Sequence, residues 1–518
     1  MFLLEVFRNL TSSVAEEMGV ALQRAAFSPN IKERKDHSCA VFDPEGRLVA
    51  QAEHIPVHLG AMPATVRAVL DGFELAEGDV VILNDPYLGG THLPDISMVS
   101  GVFSGGKPAA LLASRAHHSD VGGLAPGSLP LSTDIYQEGL VIPPLLLYRS
   151  GIRDESFMRL LSANVRTPGE RLGDIDAQVA AHRVGERRLA EIFSRYGTRE
   201  TLARFADLQD YSEKLTRAAL SGVPAGTYSF TDYLDDDGFG TRNVPITATI
   251  EVSGGGAAVD FSGTSGPTRG PFNCPASVTM SAVYYAFRCV TGEEVPANDG
   301  AFRPIDVLIP EGCLLDARRP RPVAGGNVET SQRVVDVLFG ALARSLPDRI
   351  PAASYGTMSN LSIGSAPGAD TVFSYYETIA GGTGAGPGFD GLSGTQAHMT
   401  NTMNTPVEAL EYSYPMRVKE YRLRRGSGGR GEFRGGDGMV RELEALEEVR
   451  ATLLAERRAR GPYGLEGGKP GARGKDEVTR GGRSQGIPSK GGVTLGPGDS
   501  IRISTPGGGG WGSKGKRR

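Results

Sequence analysis

The sequence predicts an α+β protein: a large, mixed, multi-layer architecture with a β-rich body and helical segments. Three observations predict it. Apolar residues recur at helical spacing near the start and again before residue 220. From Gly222 onward, short alternating runs divided by Gly and Asp clusters replace that pattern, as in an antiparallel sheet. Glycine makes up 71 of 518 residues, close to twice its usual share of about 7%, with no G-X-Y period. Many tight loops and close backbone approaches are therefore expected.

The elements follow in order. Glu5 to Ala26 carries Phe7, Leu10, Val14, Met18, Ala21, Leu22 and Ala25 on one face, an amphipathic helix packed on the core. Ser38–Phe42 alternates as a strand, Asp43-Pro44-Glu45-Gly46 turns it and Arg47–Ala52 returns, with His54 and His58 after the hairpin. Met62–Leu70 resembles a short helix. Val80–Leu83, Ser97–Phe103 and Ala109–Ser114 read as strands, and Arg171–Tyr196 and Glu200–Leu220 as helices. Ser277–Val290 and Thr330–Arg344 are the later helices, the second expected to be capped by Thr330 or Ser331. FRPIDVLIPEGCLLDARRP joins the antiparallel pattern, and after Gly461 only GVTLGPGDSIRIST looks like paired strands. Texture divides the chain into a mixed α/β metal-site region (1–220), an antiparallel β-rich region with helices (221–350) and a Gly-rich C-terminal β region (351–518).

Composition excludes several classes. The net charge of -5 argues against nucleic acid, and the basic Lys514–Arg518 reads as a solvated tail. No apolar run approaches the ~18 residues of a membrane span, and no charged-then-apolar leader opens the chain. Four scattered cysteines (Cys39, Cys274, Cys289, Cys313) without C-x-x-C spacing read as reduced and mostly buried, which favours a cytoplasmic setting. Asp235-Asp236-Asp237-Gly238 lacks the rest of a calcium loop and reads as a turn. Gly381–Gly386 has no Gly-Lys-Ser/Thr after it, so it is not a P-loop and reads as tight turns ahead of an anion contact.

The chemistry concentrates in Val80–Glu138, where strand-like runs end in Asn84, Asp85, His92, Asp95, His117, His118 and Asp120. Buried strands do not ordinarily end in such groups, because an unpaired carboxylate or imidazole is costly to desolvate. His92 and Asp95, three apart on a turn stiffened by Pro94, share a face. His117 and His118 follow an extended run and point to opposite faces, so at most one joins His92 and Asp95. With Asp36 this makes two imidazoles and two carboxylates, a set that suits a divalent transition metal (Zn, Mn or Fe) better than Mg or Ca. Such an ion lowers the pKa of water and polarises a carbonyl. A hydrogen-bonded turn network using the same residues is the alternative.

At these residues the sequence resembles the hydantoinase B/oxoprolinase family. The resemblance runs nearly the whole chain, through IKERKDHSCAVFD, HLGAMP, NDPYLGGTHLPDI, RAHHSDVGG, NVRTPGER…GDIDAQ, GGNVETSQR, GGTGAGPGFDG and TPGGGGWG. It implies metal ligands at Asp36, His92, Asp95 and His117, so that His117 rather than His118 is chosen. His118 and Asp120 become candidates for proton transfer or orientation of the ligands, with Glu138 and Arg166 weaker ones. It further implies a hetero-oligomer with an A-type subunit that binds ATP and phosphorylates the carbonyl of a cyclic amide, whose ring then opens on this chain by C–N hydrolysis. The absence of a P-loop agrees with that division, and the chain's end matches that of a B-type subunit rather than a fused oxoprolinase. Relatives that carboxylate ketones, or a scaffold subunit without catalysis, are the alternatives implied.

Overall fold

In the computed structural model, residues 2–52 and 55–513 are described; His54 and the Lys514–Arg518 tail lie outside them. Four sheets and several helices make up a mixed α+β architecture. The first sheet is antiparallel throughout and collects β1 (His37–Phe42), β2 (Leu48–Ala52), β3 (Val80–Leu83), β4 (Asp95–Ser104), β5 (Lys107–His117), β6 (Leu145–Arg149) and β7 (Ile152–Arg153) in the order β2-β1-β5-β4-β3-β6-β7. Both its faces are covered, which is why β1 is buried at every residue. Cys39, Val41, Leu112 and Ala116 meet the helices Phe2–Ala25 and Pro168–Tyr196. Ala40, Phe42, Leu111 and Ala113 face Met62, Val66 and Val69 of the helix Ala61–Gly72. The period-2 alternation of β1 and β5 thus separates two cores.

The first helix buries Phe7, Val14, Met18 and Leu22, as its spacing predicts, although Ala25 is exposed. The helix Pro168–Tyr196 differs from expectation. Besides Ile175 and Leu189 it buries Arg171, Asp174, Gln178 and His182, a polar stripe at helical spacing. Their partners sit on the sheet: His182 lies 2.7 Å from Ser100 Oγ and 2.9 Å from Ser114 Oγ, and Gln178 Nε2 donates to Ile96 O. A hydrophobic pattern cannot reveal such a face.

In the second region β8 (Gly226–Asp236), β9 (Arg242–Ser253) and β10 (Gly256–Asp260) form antiparallel pairs. The fourth strand, β11 (Ile305–Leu308), runs parallel to β10, correcting the purely antiparallel reading; the helix Ala276–Thr291 intervenes in the chain. That helix and Ser331–Leu342 pack on this sheet around Val278, Val334 and Leu338. Thr330 and Ser331 do not cap the second helix. It continues from a π-helical turn, Gly326–Thr330, and the two hydroxyls donate to Phe272 O and Asn327 O.

The last region holds two facing sheets. β12 (Asn360–Ser365), β13 (Ser374–Glu377), β16 (Val449–Leu454) and β19 (Lys490–Leu495) form one, in the order β13-β12-β16-β19. β14 (Met416–Arg424), β15 (Gly438–Ala445), β17 (Lys475–Arg480), β18 (Arg483–Gly486) and β20 (Ser500–Ser504) form the other. Leu361, Ile363 and Leu453 meet Leu443, Val478 and Ile501 between them. GVTLGPGDSIRIST does contribute strands, but β19 joins β16 and β20 joins β15 and β17, so they do not pair with each other.

Beside this sandwich, the glycine-rich runs form a packed backbone layer rather than the tight turns expected. Gly436 N donates to Thr383 O, Gly508 N to Gly436 O and Gly429 N to Gly508 O, at 2.8–2.9 Å. A Cβ on Gly382 would lie 1.9 Å from Gly436 O, and one on Gly508 1.9 Å from Thr383 O. No other residue fits such a layer.

Buried charges tie the regions together. Arg457 pairs with Asp232 of β8 at 2.7 Å and with Asp336 of the helix Ser331–Leu342, while Lys490 pairs with Glu456 at 2.6 Å. All four cysteines are free, Cys289 alone being exposed. Among the described residues, no helix is long and apolar enough to cross a membrane.

Candidate metal centre

Register brings the site together. Asp95 opens β4 and His117 closes β5, and the two are direct partners across the antiparallel ladder. Asp36 immediately precedes β1 and its carbonyl accepts from His117 N at 3.0 Å, so it sits at the same sheet edge. The turn before β4 folds back, with Asp95 N donating to His92 O at 3.1 Å, which puts the His92 ring over the strand end.

The resulting geometry is a compact triangle. His92 Nε2 lies 3.1 Å from His117 Nδ1 and 3.1 Å from Asp95 Oδ1, and His117 Nδ1 lies 3.0 Å from the same oxygen. These three side chains form the one His/Cys/Asp/Glu group among the described residues with the spacing to hold a metal ion. Metal–ligand distances of about 2.1 Å put adjacent ligand atoms roughly 3.0 Å apart around an octahedral ion. The donor set therefore fits a divalent transition metal on spacing as well as on chemistry: two imidazoles and one carboxylate. The far nitrogens, His92 Nδ1 and His117 Nε2, have no hydrogen-bond partner. A hydrogen-bonded network alone would leave both near nitrogens competing for one carboxylate oxygen.

Electrostatics favour ligation. Burial alone would raise the Asp95 carboxyl, but His92 and the hydrogen bonds from His117 and His58 hold it well below the usual carboxylate range. Burial lowers His117 and His58 and so keeps both imidazoles neutral. Burial raises Asp36, and His117 and Arg34 oppose the rise. Thr91 Oγ1 donates to Asp95 Oδ2 at 2.5 Å, orienting the carboxylate from behind.

A small cavity of about 20 Å³ opens at the triangle, lined on one side by Asp36, His58, His92, Asp95 and His117. It has room for an ion or one water. The opposite wall comes from elsewhere in the chain: Asn327 and Val328 on the π-helical turn, then Met358, Tyr376, Thr378, Met399, Thr400 and Thr402. The candidate site thus draws on all three sequence regions, not the first alone. Tyr376 stacks on His117 (centroids 4.8 Å apart, planes at 19°), and Arg34 covers the other partner of that stack, its guanidinium 4.7 Å from the Tyr376 ring. Arg34 is fully buried and donates to Tyr376 O, Thr378 Oγ1 and Thr402 Oγ1 at 3.1–3.2 Å. It pins the far wall to the chain that carries Asp36.

His118 and Asp120 take other places. His118 follows the alternation: its ring lies on the opposite face from His117, with Nε2 3.0 Å from Gln178 Oε1, and burial lowers it to about 4. Asp120 Oδ1 accepts from Gly122 N and Arg166 N, and its Oδ2 from Arg166 Nη1 at 2.8 Å and from Gly127 N. With both oxygens engaged it organises a loop, and Arg166 is its partner. Neither His118 nor Asp120 lines the cavity, so the geometry gives them no contact with reacting atoms. Glu138, which burial raises to about 7, accepts from Ser132 Oγ and from Val323 N and Ala324 N, anchoring the approach to the π-helical turn.

One histidine of the site lay outside the sequence-based ligand set. His58 Nε2 lies 3.5 Å from Asp95 Oδ2, and its Nδ1 is 2.9 Å from Ser38 Oγ. Only the HLGAMP run hinted at it. Asn327, inside GGNVETSQR, and the Tyr376–Thr402 wall carried no spacing signal, because distant pairings bring them in.

The hydantoinase B/oxoprolinase family profile matches residues 1–514. The chain is 40% identical over 540 residues to 5-oxoprolinase 1 of Arabidopsis thaliana, covering 98% of this chain and 42% of that protein. It thus spans less than half the length of that relative. A crystal structure of an ATP-dependent caprolactamase from Pseudomonas jessenii superposes with a TM-score of 0.92 at 31% identity, covering 99% of this chain and 91% of that one. A nucleotide-free acetone carboxylase structure has the same fold, with a TM-score of 0.89 at 18% identity, over 99% of this chain and 76% of that one. The chain belongs to the hydantoinase B/oxoprolinase family.

Proposed function

We propose that this chain is the metal-dependent subunit of an ATP-dependent cyclic amidohydrolase. It would open a hydantoin, 5-oxoproline or similar lactam after an A-type partner subunit has phosphorylated the carbonyl oxygen. The observation that carries the reading is the His92–Asp95–His117 triangle with sides of 3.0–3.1 Å at a small cavity of about 20 Å³. Its setting supports it, in a chain 31% identical to an ATP-dependent caprolactamase along nearly its whole length.

A zinc, manganese or iron(II) ion held by His92, Asp95 and His117, with Asp36 as a further oxygen donor, would lower the pKa of water and polarise an acyl carbon. The chain's own residues prepare for this. Asp95 stays ionised, while burial keeps His117 neutral and able to donate its lone pair. Tyr376 fixes the plane of the His117 ring. Met358, Thr378 and the stretch carrying Met399, Thr400 and Thr402 are the parts of the wall opposite the triangle without helix or strand. The ketone-carboxylase alternative has the fold in its favour and no site observation of its own.

Co-expression with an A-type subunit, followed by assays of ATP turnover and ring opening against a lactam panel with added metals, tests the reading. His92→Ala should abolish ring opening while nucleotide binding by the partner survives. Loss of nucleotide binding in that variant would contradict the division of labour.

A further inference from the structure

We infer that Gln178 is a positioning residue for the candidate metal centre: it holds the ends of β4 and β5 from the face of the sheet opposite the cavity, and so sets the spacing of Asp95 and His117. The inference rests on the metal-dependent reading and deepens it, giving a role to a side chain that does not itself line the cavity.

Gln178 closes the GDIDAQ run and lies on the helix Pro168–Tyr196, fully buried against the first sheet. Its amide is completely used. Nε2 donates to Ile96 O at 3.1 Å and to Ser114 Oγ at 3.3 Å, and Oε1 accepts from His118 Nε2 at 3.0 Å. Because Ile96 O can only accept, the amide has one orientation, and its oxygen is left for His118. Ile96 directly follows Asp95, and His118 directly follows His117. One side chain thus spans the two residues next to the cross-strand pair that supplies two of the three candidate ligands.

The backbone at His117–His118 is where the ligand-bearing segments meet. His117 N donates to Asp36 O at 3.0 Å and His118 N to Pro94 O at 2.8 Å. Pro94 stands inside the turn that carries His92 and Asp95. The Nδ1 of His118 is buried without a partner, so Gln178 is the anchor of that ring. The neighbours of Gln178 on the same helix stripe bind farther away. Asp174, one turn earlier, accepts from Phe27 N and Ser28 N at 2.8 and 3.0 Å, in the chain leading to Asp36. His182, one turn later, meets Ser100 and Ser114 along the two strands. Of the three, Gln178 alone bonds residues directly adjacent to candidate ligands.

Ligand atoms 3.0–3.1 Å apart leave little tolerance for movement of the strands that carry them. A site built on strand ends keeps its geometry only when the groups behind it hold those ends in place. An apolar side chain at 178 would leave Ile96 O and the His118 N–H buried without this partner, and the two ends would be free to part.

The test uses the full chain, stripped of metal and titrated with zinc against a chromogenic chelator. A second titration uses cobalt(II), whose visible absorption bands report the number and arrangement of its ligands. Gln178→Met and Gln178→Asn are compared with wild type and with His182→Leu, which removes a hydrogen-bonding side chain of the same stripe and so controls for lost stability. The expected result is a zinc affinity lowered about tenfold and altered cobalt bands in the Gln178 variants that fold, while His182→Leu matches wild type in both. Wild-type affinity and bands in the Gln178 variants overturn the inference. An equal loss in His182→Leu also overturns it, making the stripe a general support. So does failure of both Gln178 variants to fold, since the side chain is then structural. A wild-type chain that binds neither metal overturns the metal-dependent reading itself, and this inference with it.

Discussion

Tyr376 lies flat against the His117 imidazole, with ring centroids 4.8 Å apart and planes inclined by 19°. A residue at the end of the C-terminal sandwich thereby sets the orientation of a metal-type residue at the end of the first sheet. Groups that orient a ligand in this way typically change metal affinity by 10–100-fold when removed. Tyr376→Leu should therefore weaken zinc binding by about tenfold, read by competition with a chromogenic chelator. Tyr376→Phe keeps the stack, loses only the bond to Asn360, and should bind zinc as wild type does.

Glu329 predicts a pH dependence of stability. Burial raises its carboxyl from an ordinary 4.5 to about 7. Its Oε1 accepts from Met358 N and Asn360 Nδ2, while Oε2 has no partner. A carboxyl raised by folding contributes stability that is complete below pH 4.5 and is lost as pH climbs through 7. The total is of order 3 kcal/mol at 1.36 kcal/mol per pKa unit. Glu329→Gln should be comparatively flat over this window. Denaturant titrations at pH 5 and pH 8 should show the variant gaining on wild type toward pH 8; parallel curves would refute the assignment.

The glycine layer makes a steric prediction. Gly508→Ala places a Cβ 1.9 Å from the Thr383 carbonyl and should cost at least about 3 kcal/mol or prevent folding. Gly169, at the start of the helix Pro168–Tyr196, has open space around it: a Cβ there would meet nothing within 4 Å. Gly169→Ala should be neutral or stabilising by up to about 1 kcal/mol. Thermal melts of the two variants compare packing with conformational freedom directly.

Asp120 separates a loop organiser from a catalytic group. Four donors converge on it, two from Arg166. Asp120→Asn should lower stability by about 2 kcal/mol, the scale for hydrogen bonds to a charged group, and leave the metal content of the folded fraction unchanged. Metal loss at full stability would return Asp120 to the site.

Much of this was legible locally. The β1–β2 hairpin, the strands β3, β4 and β5 and the long helices follow from period and turn residues, whereas β6 and β7 of the same sheet were not read from the sequence. His92 and Asp95 were tied by spacing, and strand alternation already required His117 and His118 to part company. The rest depends on contacts that no local pattern encodes. His182 and Gln178 are buried because Ser100 and Ser114 await them on the sheet, so a helix face that reads as polar packs inward. Gly508 looks like a turn residue until its neighbours are seen to be other backbones. Asn327 and Tyr376 reach the cavity through a π-helical turn and a β-sandwich assembled from the last third of the chain.

The central claim is that His92, Asp95 and His117 share one divalent transition metal. Anomalous diffraction at the zinc or manganese edge, on crystals of the chain grown with that metal, tests it most directly. The account predicts a single strong peak within about 2.3 Å of His92 Nε2, His117 Nδ1 and Asp95 Oδ1. A map with no peak there, in which the three atoms keep their 3.0–3.1 Å spacing, would contradict it.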